Sequence, residues 1–445
     1  MPFSATDTIV AIATSSGRGG LGIVRLSGSD ALSIAKQLTD RAEPFAPRHA
    51  TFTIVGTRTE TPDHAVVTYF PAPHSSPGDA VVEISVHGSP VVLTNIVQSA
   101  VALGARAAAP GEFTLRAFLN GKIDLPQAEA IRDLVDATTP FQAQVAFDQL
   151  NGTLTGALNA IHDTLFDLIA RLEASVDFPD EGYHFVDPAS IATAIGDLLR
   201  RLDALMAEGG RGRLVREGLQ IAIVGAPNVG KSSLFNALLG TARAIVSEAP
   251  GTTRDLVSEV VDLDGLRVTL VDTAGLRETG DAVEAEGVRR ATAAGQTADL
   301  ILDVFDGSAA PRDTDEKTLQ IIENKRLIVF NKSDIEAAWS HPEAVSVSAV
   351  TGEGLGVLRE KIRERLGLGV ERERPAMTNV RHLELVRRAR EALVRAESSV
   401  VDKAMPEEFV LADLQEARGH LEEITGVRTS DDVLAHIFAS FCIGK

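Results

Sequence analysis

The residues with the clearest chemical meaning form a glycine-rich segment near the middle of the chain. GAPNVGKS at 225–232 fits the pattern G-x-x-x-x-G-K-[ST] and follows the apolar run LQIAIV. Between a strand and a helix, such a loop turns its backbone N–H groups toward phosphates. Lys231 is expected to reach the outer phosphates, and the Ser232 hydroxyl to bind Mg²⁺. A chance glycine turn is the alternative, and the strand-then-helix context argues against it.

Two motifs further along are typical of loops that close on a metal-bound triphosphate. DTAG at 272–275 ends the run LRVTLVD, which places Asp272 by the metal and the Gly275 amide by the last phosphate. GTTRD at 251–255 lies between this motif and the glycine loop. Thr253 is therefore expected to close on Mg²⁺ as a switch threonine.

Two later motifs indicate which base is bound. NKSD at 331–334 ends another strand, and the Asp334 carboxylate can accept two N–H donors from guanine. Adenine would leave that carboxylate unpaired, so the wrong base is rejected. SVSA at 346–349 ends the next strand, where the Ala349 amide can read the guanine oxygen. Five motifs in this order predict a GTP site. Its predicted residues are Asn228, Val229, Gly230, Lys231, Ser232, Ser233, Ser247, Glu248, Ala249, Pro250, Gly251, Thr252, Thr253, Asp272, Thr273, Ala274, Gly275, Asn331, Lys332, Asp334, Ser348 and Ala349.

The residue after Gly275 raises a question about hydrolysis, because it is Leu276. In many GTPases a glutamine there orients the attacking water, which a leucine cannot do. Positive charge is also needed near the leaving oxygen. Arg254 and Arg277 are candidate arginine fingers, although local salt bridges explain both. Alternatively, the Asn228 side-chain oxygen and the carbonyls of the loop SEAPGTT could bind a monovalent cation, K⁺, that bridges the phosphates.

A carboxylate in the acidic stretch RETGDAVEAEGVRR could hold the attacking water. Glu284 lies twelve residues past Asp272 and is the best local candidate. Glu278, Asp281 and Glu286 compete equally on spacing, and a solvated charged helix would explain all of them.

The composition bounds the class of protein. The chain has 445 residues, of which 44% are hydrophobic and 24% charged, so two to three soluble domains are expected. A single cysteine, Cys442, excludes an internal disulfide. The first residues do not resemble a signal peptide, and no apolar run approaches the roughly 18 residues of a membrane span. These features predict a cytoplasmic protein. The net charge of −19 argues against a surface coated with phosphate-binding lysines, but it leaves open a local basic patch or a partner that supplies the charge.

Three successive sequence patterns along the chain predict a multidomain fold that combines α/β and all-α parts. Residues 1–120 alternate β-branched runs with turns and predict an α+β domain with a sizeable sheet. Residues 121–215 carry long amphipathic helices. Residues 216–373 alternate strand and helix, which predicts an inserted Ras-like P-loop G domain with a doubly wound sheet. Helices resume over 374–445, so one helical domain is expected to be split around the G domain.

Several stretches together resemble a known family. DTIVAIATSSGRGGLGIVRLSG at the start, GEFTLRAFLNGKIDLPQAEAIRDLV at 111–135, the G motifs and the terminal FCIGK are similar to the tRNA modification GTPases of the MnmE family, also called TrmE. The resemblance covers the whole chain. Ordinary GTPases lack the first, second and last stretches.

The resemblance implies a fold and a reaction. It implies an N-terminal domain like tetrahydrofolate-binding domains, a constitutive homodimer through those domains, and G domains that pair when GTP and K⁺ are bound. With the flavoprotein partner MnmG, which holds the FAD, the family modifies C5 of the wobble uridine of certain tRNAs. The one-carbon unit comes from a tetrahydrofolate, 5,10-methylenetetrahydrofolate or 5-formyltetrahydrofolate, and the added group is of the aminomethyl or carboxymethylaminomethyl type. We expect tRNA to be bound largely with the partner, and no membrane to be involved.

The resemblance also assigns roles to residues. Asn228 matches the family's K⁺-ligand asparagine, and Ser247, Ala249 and Thr252 fall at the other K⁺ positions. Glu284 falls on the family's catalytic glutamate, which acts on the water through a second, bridging water.

A folate site follows from the same resemblance. Arg25, Glu83, Lys122 and Lys445 fall where the family contacts 5-formyltetrahydrofolate. A carboxylate such as Glu83 can accept paired donors of a pterin edge, and cations can meet the glutamate tail. Without the resemblance each would be an ordinary surface or edge charge. Cys442 belongs to a terminal motif that the family needs for modification, although a lone cysteine is more often a small buried apolar residue.

Two alternatives remain at this stage. An Era-like regulatory GTPase of ribosome assembly would share the G motifs, but it should carry a basic RNA-binding module, and none is visible in this acidic chain. A folate-dependent one-carbon transferase of metabolism would carry the GTPase as an accessory. Loss of a tRNA wobble modification in a deletion strain would distinguish the tRNA-modifying GTPase from this metabolic transferase.

Overall fold

The computed structural model describes residues 7–56, 61–177, 188–241, 243–244, 257–263, 265–272, 298–310, 325–339, 341–366, 374–401 and 406–444. The chain divides into two compact units. One comprises Met1–Arg132, Gln149–Ile169 and Leu414–Lys445, and the other Asp133–Asp148 and Ala170–Asp413. The domain boundaries predicted from the sequence stay predictions.

The first unit contains a six-stranded sheet in the order β3-β4-β5-β2-β1-β6. Its strands are β1 (Ile9–Ile12), β2 (Gly19–Ser27), β3 (Thr51–Val55), β4 (Asp63–Phe70), β5 (Val81–Gly88) and β6 (Arg106–Ala107). All pairs are antiparallel except β1 with β6. Alternation assigns the faces. On β5 the side chains of Val82, Ile84 and Val86 are buried in the core that also contains residues of α1 (Ala31–Leu38) and α2 (Pro90–Ala102). Glu83 and Ser85 alternate with them and face the other side.

Helices α3 (Glu112–Leu119), α4 (Leu125–Asp136), α5 (Pro140–Leu150), α6 (Thr153–Asp177) and α7 (Pro188–Glu217) follow. The amphipathic character predicted for the helices of residues 121–215 is confirmed on α6. Its apolar stripe is buried at Leu154, Leu158, Ile161, Leu165, Leu168 and Leu172 and half-buried at Val176. The entry to α4 is a capping box. The Asp124 N–H donates to Gln127 Oε1 at 3.0 Å, and the Gln127 N–H donates to Asp124 Oδ1 at 2.8 Å.

The second unit contains a seven-stranded sheet in the order β13-β12-β11-β7-β10-β9-β8. Its strands are β7 (Leu219–Val224), β8 (Arg243–Ala244), β9 (Val257–Leu263), β10 (Leu266–Asp272), β11 (Leu300–Asp306), β12 (Arg326–Asn331) and β13 (Val345–Ser346). Strands β10, β7, β11, β12 and β13 run parallel, whereas β9 is antiparallel to β10 and β8 to β9. Helices α8 (Lys231–Thr241) and α9 (Leu355–Arg365) complete it. Because β7 lies between β10 and β11, a ligand is expected where the chain leaves β7.

The chain enters and leaves this sheet beside α7. Gln142 on α5 is buried, and its Nε2 donates to the Val215 carbonyl at 2.8 Å. The Thr139 hydroxyl donates to the Gly265 carbonyl of the β9–β10 turn at 2.8 Å. On the return path Met377 is fully buried and crosses α7 where a Cβ on Gly212 would overlap the Met377 carbonyl oxygen. The glycine is therefore required by close backbone approach.

The last helices are α10 (Val380–Val401), α11 (Glu407–Thr425) and α12 (Asp431–Ala439). Ser430 stands at the N-cap position of α12 with extended backbone angles but makes no side-chain capping hydrogen bond, and Asp431 and Asp432 occupy the first turn. None of the helices in the described ranges is long and apolar enough to cross a membrane.

Candidate nucleotide and folate sites

The glycine loop after β7 has the backbone that its sequence predicts. Gly225 and Gly230 have φ angles of +143° and +94°. A Cβ on Gly225 would overlap the Val304 carbonyl oxygen of β11, and one on Gly230 would overlap the Asn331 amide nitrogen. Asn228 also has a positive φ, +67°, a region that asparagine tolerates better than most residues. The loop therefore wraps tightly, as phosphate-binding loops do.

The loop runs directly into α8. Lys231 is buried, and its ammonium donates to the carbonyls of Gly225 at 2.9 Å and Ala226 at 2.8 Å. Ser232 and Ser233 are exposed in the first turn of the helix. Helix N-termini attract anions through unsatisfied N–H groups and the helix dipole. The arrangement therefore offers a cation, amides and a hydroxyl at one point.

Asn331 links this loop to the segment after β13. Its Nδ2 donates to the Val229 carbonyl at 3.0 Å, and its Oδ1 accepts from the Ala349 N–H at 3.0 Å. The residue is buried at the carboxyl end of β12. Two stretches more than a hundred residues apart in the chain are thus held by one side chain.

The Asp334 carboxylate is oriented by a buried serine. Ser348 Oγ donates to Asp334 Oδ1 at 2.6 Å and accepts from the Thr351 N–H at 3.1 Å. Ser348 is fully buried, whereas Asp334 is exposed. The structure therefore brings Asn228, Val229, Gly230, Lys231, Ser232, Ser233, Asn331, Lys332, Asp334, Ser348 and Ala349 to the carboxyl edge of the sheet.

Sequence reasoning missed Asp306 and Trp339 at this edge. Asp306 Oδ2 accepts from Lys332 Nζ at 2.5 Å, and the Trp339 indole N–H donates to the Asp306 carbonyl at 3.2 Å. Burial raises the pKa of the Asp306 carboxyl, but hydrogen bonds from Lys332 and Ser308 outweigh it and leave that pKa below its usual value. The only sequence signal was an acidic residue at the end of the run LILDVFD.

Part of the predicted site lies outside the described residues. Asp272 is described by its backbone alone, as the last residue of β10 and the partner of Ile223 on β7. The predictions that lie outside are those for Ser247, Glu248, Ala249, Pro250, Gly251, Thr252, Thr253, Arg254, Thr273, Ala274, Gly275, Arg277, Glu278, Asp281, Glu284, Glu286 and Lys445. They stay predictions.

Two of the predicted folate residues meet across neighbouring strands. Arg25 on β2 and Glu83 on β5 are register partners, and Arg25 Nε donates to Glu83 Oε1 at 2.9 Å. Arg25 also donates to the Gly444 carbonyl at 3.1 Å, and its guanidinium lies 5.6 Å from the centre of the Phe113 ring. The end of the chain is thereby brought to this ion pair.

The other residues of the predicted folate site lie nearby or outside the described part. Lys122 is exposed, and its Cε is close enough to Gly78 that a Cβ there would approach it to 3.2 Å. Cys442 is exposed, unlike most lone cysteines, which are buried as small apolar residues. Its carbonyl accepts from the Gly111 N–H at 3.3 Å. Its neighbour Phe441 is buried.

A buried ion cluster, which sequence reasoning also missed, supports this part of the fold. Glu112 and Arg116 are both buried on α3. Glu112 Oε1 accepts from Arg106 at 2.5 Å and from Arg116 at 3.2 Å, while Arg116 also donates to Asp7 Oδ1 at 2.5 Å. Burial raises the pKa of the Glu112 carboxyl, but hydrogen bonds from Arg106 and the Ala109 N–H outweigh it and hold that pKa below its usual value.

Comparison with known proteins agrees with this arrangement. Residues 8–122 match the family model for the N-terminus of the GTP-binding protein TrmE, and residues 125–442 match the model of the MnmE helical domain. A tRNA modification GTPase MnmE of Koribacter versatilis is 44% identical over 451 residues, covering 99% of each chain. The chain belongs to the MnmE family of tRNA modification GTPases. The family resemblance and the fold class predicted from the sequence are confirmed.

A second relative agrees with the assignment to the MnmE family. The MnmE of Aquifex aeolicus is 40% identical over 446 residues, covering 99% of this chain and all of that one. Among solved structures, the G domain of the T. maritima FeoB iron transporter is 31% identical and covers 33% of this chain and 98% of that one, with a TM-score of 0.26. That score is too low to carry an argument about this chain.

Proposed function

We propose that this chain is a K⁺-activated GTP hydrolase that, with the flavoprotein MnmG, modifies C5 of the wobble uridine of certain tRNAs. The added group is of the aminomethyl or carboxymethylaminomethyl type, and its carbon comes from a tetrahydrofolate. The observation that carries the proposal is the position of Asn331, which joins the phosphate loop at Val229 to the base-reading segment at Ala349. Membership of the MnmE family supports the tRNA reaction.

In the proposed site, each motif has one task. The loop amides and Lys231 hold the phosphates, Ser232 and Thr253 hold Mg²⁺, and Asp334 with Ala349 selects guanine. Hydroxyl, carbonyl and amide oxygens are the donors that hard cations prefer, so Ser232 and Asn228 suit Mg²⁺ and K⁺ respectively.

Asn228, Ser247, Ala249 and Thr252 would hold K⁺. When bound, the ion supplies the positive charge that an arginine finger gives other GTPases. Glu284 would position the attacking water through a bridging water, in place of the glutamine that Leu276 replaces.

The proposed folate site is centred on Arg25 and Glu83, with Lys122 and Lys445. It would take 5,10-methylenetetrahydrofolate or 5-formyltetrahydrofolate. Arg25 fixes the Glu83 carboxylate and, through Gly444, the chain end that carries Cys442. The proposal is supported by the proximity of a carboxylate, a cation and the terminal segment at one region of the N-terminal sheet, since charge-assisted bonds of this kind could hold a pterin.

The proposal extends to assembly. We propose a cytoplasmic homodimer formed through domain 1–120, with helical parts 121–215 and 374–445 around a G domain at 216–373. The net charge of −19 supports a division of labour in which MnmG, the holder of FAD, meets most of the tRNA phosphates.

GTP turnover of the full chain, measured in KCl and in NaCl at equal ionic strength, tests the hydrolytic part. We expect turnover in KCl to be faster by roughly 10²-fold, the usual worth of one preorganised charge contact, and to be lost in Glu284→Ala. The neighbouring Glu286→Ala is the matched control and should keep its turnover. Equal rates in both salts would contradict the K⁺ mechanism and shift attention to Arg254 or Arg277. The tRNA part fails if a deletion strain keeps its wobble-uridine modification.

A further inference from the structure

Lys332 occupies a backbone conformation that lysine avoids. Its φ is +69°, in the left-handed region, where a residue with a Cβ is strained. The turn at Lys332 lies between Asn331 and Asp334, whose side chains bond to different segments of the chain. Asn331, before it, bonds back to the phosphate loop at Val229, and Asp334, after it, bonds forward to Ser348. The placement of the two side chains relative to each other therefore depends on the backbone of the turn at Lys332 that connects them.

The Lys332 side chain is anchored by Asp306. Lys332 Nζ lies 2.5 Å from Asp306 Oδ2, and the two side chains are only 33% and 20% exposed. Asp306 ends β11, directly opposite Asn331 on β12. An anchor on the neighbouring strand can thus hold the turn against its strain.

Asp306 is also held in place by contacts that do not involve Lys332. Its Oδ1 accepts from the Ser308 N–H at 3.0 Å and from the Ser308 hydroxyl at 2.6 Å. Its carbonyl accepts from Trp339, whose ring packs against Phe305 and Phe330 with centroid distances of 5.7 and 4.4 Å. The carboxylate is therefore a preorganised partner, unlike an exposed surface ion pair.

We propose that Asp306 is a positioning residue of the guanine site, which acts through Lys332 to hold the left-handed turn that aims Asn331 and Asp334. The inference rests on the proposed GTP site. The alternative explanation is that Asp306 and Lys332 form an ordinary ion pair, which joins the ends of two strands and has no effect on nucleotide binding.

A Lys332→Gly substitution distinguishes the positioning role from an ordinary ion pair. Glycine adopts positive φ without strain, so a turn with glycine there needs no anchor at Asp306. The experiment places Asp306→Ala in the native chain and in a Lys332→Gly chain, and measures the GDP Kd together with KM and kcat for GTP. In the native background we expect Kd and KM to rise about tenfold, the size of a lost strain-compensating contact, with kcat changed less than about twofold. In the Lys332→Gly background we expect the same substitution to change Kd less than about twofold.

Glu364→Ala is the matched control, because Glu364 also pairs with a lysine, Lys361 at 2.7 Å, but on the exposed face of α9. It should leave Kd unchanged. The emission of Trp339, the single tryptophan of the chain, reports whether its indole keeps its contacts with Asp306, Phe305 and Phe330. If Asp306→Ala fails to fold, Asp306→Asn replaces it in both the native and the Lys332→Gly chain, because asparagine keeps the shape of the side chain and removes its charge.

An equal rise in Kd in both backgrounds would overturn the proposal, since Asp306 would then act through Ser308 or Trp339. An unchanged Kd in the native background would overturn it in favour of the ordinary ion pair. Failure of the unsubstituted protein to bind GDP would instead refute the proposed GTP site, and the inference with it.

Discussion

The Asn331 side chain donates to the Val229 carbonyl of the phosphate loop and accepts from the Ala349 N–H, both at 3.0 Å. One amide thus fixes the distance between the phosphate loop and the segment that is proposed to read the base. Because the residue is only 3% exposed, water cannot easily replace either bond.

Asn331→Ala should therefore weaken nucleotide binding and stability together. We expect the GDP Kd to rise at least about tenfold and the free energy of unfolding to fall by about 1–3 kcal/mol, since buried polar groups lose their partners. Isothermal titration calorimetry and urea unfolding measure the two quantities. Asn95→Ala, which removes a 2.8 Å bond to Thr61 in the N-terminal unit, is the control and should leave Kd unchanged. An unaltered Kd in Asn331→Ala would refute the linking role.

Helix α7 offers a matched pair of glycines. Gly212→Ala should destabilise the protein by several kcal/mol, on the order of the larger steric effects, because its Cβ would overlap backbone at Met377. Gly210→Ala, where nothing lies within 4 Å, should be neutral or stabilise by about 0.5–1 kcal/mol through helix propensity. Urea unfolding followed by circular dichroism compares them. Equal effects would mean that the crossing of Met377 over α7 is not tight.

The Glu112 cluster predicts a pH dependence of stability. The pKa of this carboxyl is depressed in the folded state, below an ordinary value of 4.5. Its ionised form therefore contributes stability that is complete above about pH 4.5 and is lost as the pH falls through the folded-state pKa. Glu112→Gln should cost about 2–3 kcal/mol at pH 7, because the buried Arg116 and its neighbour Arg106 both lose a charged partner, although Arg116 keeps its bonds to Asp7 and Asp79.

The difference between native and Glu112→Gln chains should shrink as the pH is lowered below 4.5, and urea unfolding across that range measures it. Glu43→Gln, in an exposed pair with Arg41, should stay within about 0.5 kcal/mol of the native chain throughout. A Glu112→Gln deficit that is constant with pH would contradict the assignment of the effect to the ionised carboxyl.

We expect folate binding to depend on the Arg25–Glu83 pair. Glu83→Gln and Arg25→Ala should each raise the Kd for 5-formyltetrahydrofolate by roughly tenfold or more, because charge-assisted hydrogen bonds are lost. Calorimetric titration of the full chain gives the Kd, and GTP turnover should be unchanged in both variants. Glu43→Gln again serves as the control. If both variants bind folate normally, the pair is only a cross-strand contact.

The backbone of the glycine loop could be predicted because its conformational preferences are local. A contiguous loop such as 225–232 carries its own backbone preferences, so Gly225 and Gly230 adopt positive φ and Lys231 turns back onto the loop carbonyls. The stripe on α6 and the start of α12 at Ser430 were predictable for the same reason, since periodicity and caps act within a few residues.

Asp306 and the Glu112 cluster were not predictable in this way. Asp306 meets Lys332 because β11 and β12 pair in the register that sets Asp306 opposite Asn331. Glu112, Arg106 and Asp7 meet because α3 packs beside the first strands. In both cases an acidic residue reads as an ordinary surface charge until its partner is known.

The sequence alone was enough to identify a phosphate loop, an aspartate that is a candidate for reading guanine, a sheet-forming N-terminal region and the family to which the chain belongs. The tertiary structure decided which of those parts meet. Arg25 meets Glu83 and the carbonyl of Gly444 through strand register and the path of the chain end. Asn331 bridges Val229 and Ala349 through a sheet whose strand order differs from chain order. The physical reason is that backbone preference and side-chain chemistry act over a few residues, whereas pairing between distant segments depends on how whole strands and helices bury their apolar faces.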